Sequence, residues 1–444
     1  MRSVYSAFLK LLIAPEGPSH RRYNVSKRVY RHIITYKFQL FLSKKNRITG
    51  FKERKSDKVA LRNGRKKMVR FIVSVAGLCV SSTALMAGGW ETGTLPTSMM
   101  YEDGNYFEFS YGSLNYNLDG VASVVLQASP TTELVAGQKH KMAKDQTRTS
   151  LAAKFSVGSY DVGISRFDNG AIQLDGTNST VTSKTASADI KLTTMAIMGS
   201  RSLDNGMSVG LGMRNGQLGS GTVSTLAGVT YSVESATASS AIASIAYEKP
   251  EIALRAELVY EDSVGMPFDV TLSNGVTATG GLALPQSTTL NFQTGIATDT
   301  LLFGSVRNVA WSSSQVAVDA AVDLLDISSE FDNTTSYNVG VGRKLTEDLS
   351  ASLSYAQEAG TGSTSTSGFT LTNGYNSVSA GLKYTIDNIN ISLGYSYVMP
   401  GDVTITHNVD ADGSTVPATP ATTLKTVYEN STVQALGIRI GMNF

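Results

Sequence analysis

The sequence is poor in the residues that catalysis and covalent cross-linking most often use. Its 444 residues include one cysteine, Cys79, and four histidines. A single cysteine excludes a disulfide framework within the chain. His140 and His407 fall in predicted loops without a carboxylate at metal-ligand spacing, and a hydrolytic site would need a nucleophile beside a histidine. We therefore expect no catalytic residue, no metal site and no cofactor.

Long apolar runs and proline are also scarce. No apolar segment after residue 90 reaches the roughly 18 residues that predict a transmembrane helix, and proline occurs only 10 times. Glycine occurs 41 times. Serine, threonine and asparagine fill the spaces between short apolar segments. This composition indicates an all-β fold.

The two signs of charge are unevenly distributed. Residues 1–70 contain 20 Lys or Arg and 3 Asp or Glu, whereas the remainder contains 18 basic and 33 acidic residues. The formal net charge of +2 therefore results from a basic leader joined to an acidic body. It gives no reason to expect a nucleic-acid partner.

The basic leader ends in a pattern typical of a secretory signal peptide. Residues 65–70 read RKKMVR, and an apolar stretch and then LMAGGW follow. We assign residues 68–87 to the signal peptide and residues 1–67 to a non-globular basic extension, which a start codon assigned too early would explain. The alternatives are a transmembrane anchor, for which the stretch is short, and a lipoprotein acylated at Cys79, for which Leu78 is too large.

From residue 106 the chain alternates between apolar and small or polar residues in fourteen short segments. Six connections between these segments are tight, such as Gly158-Ser159 and Asp387-Asn388, and seven are longer. Short and long connections alternate along the chain. This arrangement predicts a fourteen-stranded antiparallel up-and-down β-barrel over residues 106–444.

The two faces of each predicted strand differ in polarity. In the segment 251–261, Leu254 and Leu258 lie on one face, whereas Arg255 and Glu257 lie on the other. Side chains cannot fill a barrel of fourteen strands, so the apolar face must meet lipid and the polar face must line the lumen. With the signal peptide, this predicts a multi-pass transmembrane barrel in contact with lipid in the outer membrane of a Gram-negative cell.

The last segment, 431–444, alternates strictly and ends on Phe444. We expect it to close the barrel against the segment 106–117, with Phe444 facing lipid and Arg439 facing the lumen. A terminal aromatic residue on such a strand also resembles the signal that the barrel assembly machinery recognises, which makes that machinery an expected partner.

Several hairpins resemble those of a known family. Residues 287–309 read STTLNFQTGIATDTLLFGSVRNV, and residues 247–260 read YEKPEIALRAELVY. Both are similar to hairpins of the FadL/TodX-type outer-membrane transporters of long-chain fatty acids and other hydrophobic compounds. The stretches GGWETGTLPTSMMYEDGNYFEFSYG and YNVGVGRKLTEDLSASLSY support the resemblance, which covers roughly residues 88–444.

The resemblance implies a fourteen-stranded barrel with an N-terminal plug, and passive movement of hydrophobic molecules through its lumen or wall. The better-known members have a longer plug with an Asn-Pro-Ala segment. Here only residues 88–105 precede the first strand, so we expect a short plug segment, with the loops at 118–146 and 262–286 occluding part of the lumen. We also expect a monomer.

Two functions remain open at this point: a transporter for hydrophobic molecules and a general diffusion porin for small polar solutes. Phe303, Arg307 and Trp311 share one face of one strand, which favours an apolar pocket in which Arg307 meets a ligand carboxylate. Alternatively, Arg307 pairs with Glu257 or Glu261, and Trp311 lies in an interfacial girdle. A lumen blocked by a short N-terminal segment, with a connected apolar cavity, would favour transport.

Overall fold

The computed structural model describes residues 93–126, 129–141, 143–175, 187–224, 230–272, 275–318, 329–365, 372–409 and 422–444. Fourteen strands form an antiparallel barrel, and we number them β1 to β14 in chain order. They are Tyr106–Asn117 (β1), Gln146–Val157 (β2), Tyr160–Leu174 (β3), Ser187–Ser202 (β4), Met207–Leu218 (β5), Ala236–Lys249 (β6), Leu254–Glu261 (β7), Ser287–Ala297 (β8), Thr300–Val309 (β9), Thr334–Lys344 (β10), Leu349–Glu358 (β11), Tyr375–Ile386 (β12), Ile389–Pro400 (β13) and Thr432–Asn443 (β14).

The barrel is closed because its first and last strands are hydrogen-bonded neighbours. β1 and β14 pair antiparallel, from Tyr106 opposite Asn443 to Asn117 opposite Thr432. This pairing satisfies the backbone groups of both terminal strands, as hydrocarbon surroundings require. The predicted fourteen-stranded barrel and its closure by the C-terminal segment are confirmed.

Tight turns join the strands at the end of the barrel where β1 begins and β14 ends. Between β12 and β13, Ile386 pairs with Ile389 across a two-residue turn, and Asp387 in that turn has φ of 52°. Positive φ matches the twist of a tight hairpin, and aspartate tolerates it better than most residues do. In outer-membrane barrels the short turns face the periplasm, so we call the opposite end, with the longer connections, the extracellular end.

The outward face of the barrel is apolar. Leu211, Leu353 and Leu436 are 73%, 61% and 61% exposed, and each alternates with inward glycine, serine or alanine. Water would penalise so many exposed leucines, whereas lipid accommodates them. At the periplasmic end Phe444 is also exposed and lies edge-on to Phe155, with ring centroids 6.3 Å apart. The lipid-facing role predicted for the terminal strand is thus consistent with its geometry.

Shorter strands lie beyond the extracellular end of the barrel, in the connections that the sequence predicted as loops. Five form a second sheet: Asp119–Leu126, Ser129–Lys141, Thr364–Ser365, Val403–Val409 and Thr422–Tyr428. Five more extend the barrel sheet: Gly221–Ser224, Thr230–Val233, Val264–Leu272, Thr277–Leu284 and Ala317–Val318. The described 3₁₀ helices are Thr97–Tyr101, Pro250–Ile252 and Trp311–Ser313, and none of these helices is long and apolar enough to cross a membrane.

An apolar core occupies the extracellular end of the lumen. Inward side chains near the ends of the barrel strands pack there with residues from the connection at 262–286 and, in smaller number, from the one at 118–146. Each large aliphatic side chain buried in this way contributes about 1.5–3 kcal/mol. The core includes Leu114, Leu192, Leu218 and Val433 from the strands and Leu118, Ala143, Met266, Phe268 and Leu284 from the connections.

Some of the expectations concern residues that lie outside the described part of the chain. These are the basic extension at 1–67, the signal peptide at 68–87 with Cys79, and the first residues of the plug, 88–92. Residues 93–105 of the plug are described, and they lie against inward side chains of the barrel.

Candidate functional site

Met99 and Met100 anchor the plug, residues 93–105, inside the barrel. Both side chains are buried in a second apolar cluster with inward residues of five strands, including Met198 of β4 and Ile242 of β6. Gly163 of β3 leaves room for the plug, because a Cβ there would lie 2.4 Å from the Met100 sulfur. The plug is therefore packed as a folded element of the lumen.

Glu257 of β7 holds the same segment through its carboxylate. Its Oε2 accepts a hydrogen bond from the Thr97 hydroxyl at 2.9 Å, and its Oε1 accepts one from the Tyr101 hydroxyl at 2.9 Å. Asn291 of β8 donates a third, at 3.0 Å. The guanidinium of Arg255 lies 4.2 Å from the Tyr101 ring centroid, at cation–π distance. The inward orientation of Glu257 is as predicted, but its partners are hydroxyls and an amide and not an arginine.

The Tyr101 hydroxyl is kept as a donor by its surroundings. Burial, followed by the nearby Glu257 carboxylate, raises the pKa of this hydroxyl well above its usual range. Both causes disfavour the phenolate. The bond from Tyr101 to Glu257 is therefore intact throughout the physiological pH range.

Glu261, two inward positions further along β7, pairs with an arginine of another strand. Arg214 of β5 donates to it at 2.9 Å, and the Ser287 hydroxyl donates to its other oxygen at 2.8 Å. Arg214 also donates to Ser240 and to the backbone carbonyls of Asp262 and Pro285. A buried ion pair with this many hydrogen bonds is fully satisfied. Among the described residues, Arg307 therefore pairs with neither Glu257 nor Glu261.

A cavity, here called the inner cavity, lies between the plug and strands β7 to β12. It encloses about 670 Å³ of empty space, including its open mouth. Apolar lining comes from Leu95, Val259, Ala356 and Tyr375, and polar lining includes Thr94, Thr289, Ser305, Arg307 and Asn338. The carboxylate of Glu261 also reaches this cavity, but its charge is already balanced by Arg214.

Arg307 is a basic side chain that lines the inner cavity. Its side chain is 8% exposed, yet its Nε and Nη2 atoms have no hydrogen-bond partner among the described residues. Glu358 attracts it electrostatically without an ion-pair contact in the described part of the chain. Leaving two buried guanidinium donors unused is costly, so this edge of Arg307 is suited to a ligand with two acceptor atoms.

The three residues predicted as a pocket do not lie together around the inner cavity. Arg307 lines it, whereas Phe303 packs deeper along the same strand, where the Cβ of a larger residue at Gly340 would lie 2.4 Å from its ring. Trp311 lies in the 3₁₀ helix after β9 and packs against Phe331, with ring centroids 6.0 Å apart. Trp311 is buried and is therefore not a lipid-exposed girdle residue. A shared ligand contact for all three remains a prediction.

The wall of the barrel is interrupted between β2 and β3. These strands pair from Val157 opposite Tyr160 as far as Ser150 opposite Phe167, and a bulge at Asn169 then shifts the register of β3 against β4. One position beyond the last pair, Ser150 and Phe167, the Asp168 carboxylate accepts hydrogen bonds from Thr149. The Thr149 backbone N–H donates at 2.7 Å and the Thr149 hydroxyl at 2.9 Å. A side chain thus replaces the backbone ladder at this point, as bulges commonly allow.

A second cavity, here called the wall cavity, lies at this interruption. Its lining includes the inward residues Ser110, Gly112 and Arg439 and the outward residues Tyr111, Leu436 and Ile438. Thr149, Phe167 and Asp168 line it beside the interruption. Because its lining residues come from both faces of the sheet, the cavity lies within the thickness of the wall beside the interruption. It encloses about 720 Å³ of empty space, including the open solvent at its mouth.

The plug separates the two cavities. Thr94 lines both of them. On one side of it, the Gly93 backbone N–H donates to the carbonyl of Asn169 in the bulge, and on the other side Thr97 is bonded to Glu257. One short segment therefore contacts the wall interruption and the inner cavity at the same time.

A short stretch of the sequence marks the position of the wall interruption. Residues 167–170 read Phe-Asp-Asn-Gly, and Asp, Asn and Gly break the alternation in a way typical of turns and bulges. The observed strand continues through the bulge to Leu174, which places an irregularity inside the wall.

Comparison with known proteins identifies similar folds among solved structures. No protein-family model and no curated protein matches this chain. A FadL homologue from Pseudomonas aeruginosa aligns with a TM-score of 0.63 at 13% identity, over 79% of this chain and 92% of the homologue. The toluene transporter TodX from P. putida gives 0.52 at 12% identity, over 83% and 99%. The toluene transporter TbuX from Ralstonia pickettii gives 0.50 at 13% identity, over 84% and 100%.

These matches confirm, at the level of the fold, the FadL/TodX-type resemblance that the hairpins predicted. Identities of 12–13% carry no information about individual site residues. The assignment of a function must therefore rest on the cavities, the plug and the wall interruption.

Proposed function

We propose that this protein is an outer-membrane channel for the passive uptake of hydrophobic molecules. The observation that carries the proposal is the wall cavity, which is lined from both faces of the sheet where the β2–β3 ladder stops and which would be the path from the lumen into lipid. A molecule that is poorly soluble in water gains by leaving the lumen sideways into lipid, at about 25 cal/mol per Å² of apolar surface. The toluene transporters with the same fold are consistent with such cargo.

The alternative, a general diffusion porin for small polar solutes, fits the lumen less well. A porin of this kind needs a continuous water-filled lumen. In the part of the chain that is described, apolar side chains occupy the extracellular end of the lumen, and the plug fills part of the remainder. Polar solutes would have to desolvate at the apolar core, whereas apolar solutes would not.

The proposed path needs no energy source. Cargo enters the apolar extracellular region, reaches the inner cavity, passes the plug and leaves through the wall cavity. Each stage offers apolar contacts, and the final transfer into lipid is favourable. The C-terminal strand with Phe444 would be read by the barrel assembly machinery, and the barrel would act as a monomer in the outer membrane.

Long-chain fatty acids are the cargo that we propose more specifically. Arg307 supports this choice, because its unpartnered Nε and Nη2 atoms lie on one edge of the guanidinium, and a carboxylate can accept from both. A charge-assisted hydrogen bond is worth about 1.5–3 kcal/mol, which an uncharged hydrocarbon cannot gain. Phe303 and Trp311 would contribute apolar surface along the path.

Uptake measurements on cells test both levels of the proposal. Cells that produce the protein should take up a long-chain fatty acid and an alkane of similar length faster than cells that lack it. Arg307→Ala should slow fatty-acid uptake while leaving alkane uptake unchanged, and Asn308→Ala, on the outward face beside it, is the matched control. If both substrates enter Arg307→Ala cells at the wild-type rate, Arg307 has no part in recognition. If only polar solutes are admitted, the protein is a porin.

A further inference from the structure

A second unpartnered polar side chain lies beside Arg307 in the inner cavity. Asn338 of β10 is 8% exposed, and its Oδ1 atom has no hydrogen-bond partner among the described residues. Within the same part of the chain, no side-chain hydrogen bond satisfies its amide. A primary amide needs both a donor and an acceptor, so burial without them is costly. This side chain, like Arg307, is arranged to meet a group that is not part of the protein.

The register of the sheet brings the two groups to one place. β9 and β10 pair with Ser305 opposite Asn338 and with Arg307 opposite Ser336. Arg307 and Asn338 are therefore diagonal neighbours on the inward face, where Cβ atoms lie about 7 Å apart. Both line the inner cavity, with the apolar side chains of Leu95, Val259 and Tyr375 beside them.

The chemistry of this pair describes a ligand with two polar groups at one end. The edge of Arg307 binds two acceptor oxygens, as a carboxylate provides. A free amide is satisfied by a group that both donates and accepts, and a hydroxyl does this whichever way the amide is turned. The remaining surface is apolar and fits a hydrocarbon chain.

We infer that the inner cavity selects hydroxylated carboxylic acids, with the hydroxyl within the first few carbons of the carboxylate, over plain fatty acids and hydrocarbons. This inference rests on the proposed function and names its preferred cargo. Arg307 binds the carboxylate, and Asn338 is the residue that determines specificity by binding the hydroxyl. One additional hydrogen bond corresponds to about a three- to tenfold tighter complex.

Titration calorimetry on the purified protein in detergent tests the inference with three acids of equal chain length: decanoate, 3-hydroxydecanoate and 10-hydroxydecanoate. The terminal hydroxyl of the last acid controls for polarity alone. We expect 3-hydroxydecanoate to bind about three- to tenfold more tightly than the other two. Asn338→Leu should remove this advantage and leave the affinity for decanoate unchanged. Asn308→Leu, an outward amide on the adjacent strand, should retain it.

The ligand series in the wild-type protein keeps the test decisive even if Asn338→Leu does not fold. Equal affinity for decanoate and 3-hydroxydecanoate would overturn the inference, and so would an advantage that survives in Asn338→Leu. Uptake of an alkane by cells distinguishes the two levels. If alkane uptake depends on the protein but 3-hydroxydecanoate has no advantage, the inference fails and the proposed function stands. If neither acid binds and alkane uptake does not depend on the protein, both fail.

Discussion

Glu257 connects two parts of the chain that lie far apart in sequence. Its donors Thr97 and Tyr101 precede it by 160 and 156 residues. Strand alternation predicted that the carboxylate would face the lumen, since alternation is a local property. Its partners could not be predicted, because nothing local to β7 indicates which distant hydroxyl will reach it. Arg255, which lies two positions before Glu257 on the same inward face of β7, stacks on the Tyr101 ring instead.

Removal of the Glu257 carboxylate should loosen the plug without unfolding the barrel. Glu257→Leu deletes the acceptors of Thr97 and Tyr101, each bond being worth about 0.5–1.5 kcal/mol or more because the acceptor is charged. We therefore expect faster amide hydrogen exchange over residues 93–105 and nearly unchanged exchange in β12 and β13. Glu257→Gln, which keeps one acceptor oxygen, should give an intermediate rate.

A carboxylate that does not contact the plug provides the control for that measurement. Glu261 of the same strand is bonded to Arg214 and Ser287, so Glu261→Gln should alter the barrel locally while leaving exchange in the plug unchanged. Equal plug protection in wild type and Glu257→Leu would mean that apolar packing of Met99 and Met100 alone holds the segment.

At the scale of elements, the strand alternation predicted most of the barrel. The terminal strand shows why: Leu436 is exposed to lipid, Ala435 and Arg439 are buried, and β14 pairs with β1 and β13. The two-residue period determines which side chains of a strand face lipid and which face the lumen. The strands Val264–Leu272 and Thr277–Leu284 were predicted as a loop. Pro267 and the glycines of this connection are unfavourable inside a strand. The pairing of these strands depends on distant partners.

The lipid-facing role of β14 is testable by a charge at one position. Leu436→Arg places a cation on the lipid face and should destabilise the barrel by about 2–4 kcal/mol if the residue lies near the bilayer midplane. Folding into lipid vesicles, followed by denaturant titration, measures the loss. Gln434→Arg is the matched control, since Gln434 is outward on the same strand, closer to the extracellular end and already polar. Similar losses for both variants would contradict the assigned faces.

At the scale of the whole molecule, the plug lies in contact with both cavities. The inner cavity, the plug and the wall cavity share Thr94, and the bulge that interrupts the wall accepts a hydrogen bond from the plug at Gly93. Strand alternation predicted the barrel, and the family resemblance, together with the start of the first strand, predicted a short plug. The proposed lateral path could not be predicted from these features, since it depends on the stop of one ladder at Thr149 and Asp168.

Passage through the wall can be tested by closing the wall at the point where the β2–β3 ladder stops. Thr149 and Asp168 are joined by side-chain hydrogen bonds, at the position where β2 and β3 would next pair. In the double variant Thr149→Cys/Asp168→Cys, oxidation should form a disulfide that extends the closed ladder across the interruption. Uptake of a radiolabelled alkane should then fall to the level of cells without the protein, return on reduction, and remain insensitive to oxidation in each single variant. Wild-type uptake by the fully oxidised double variant would contradict lateral passage between β2 and β3.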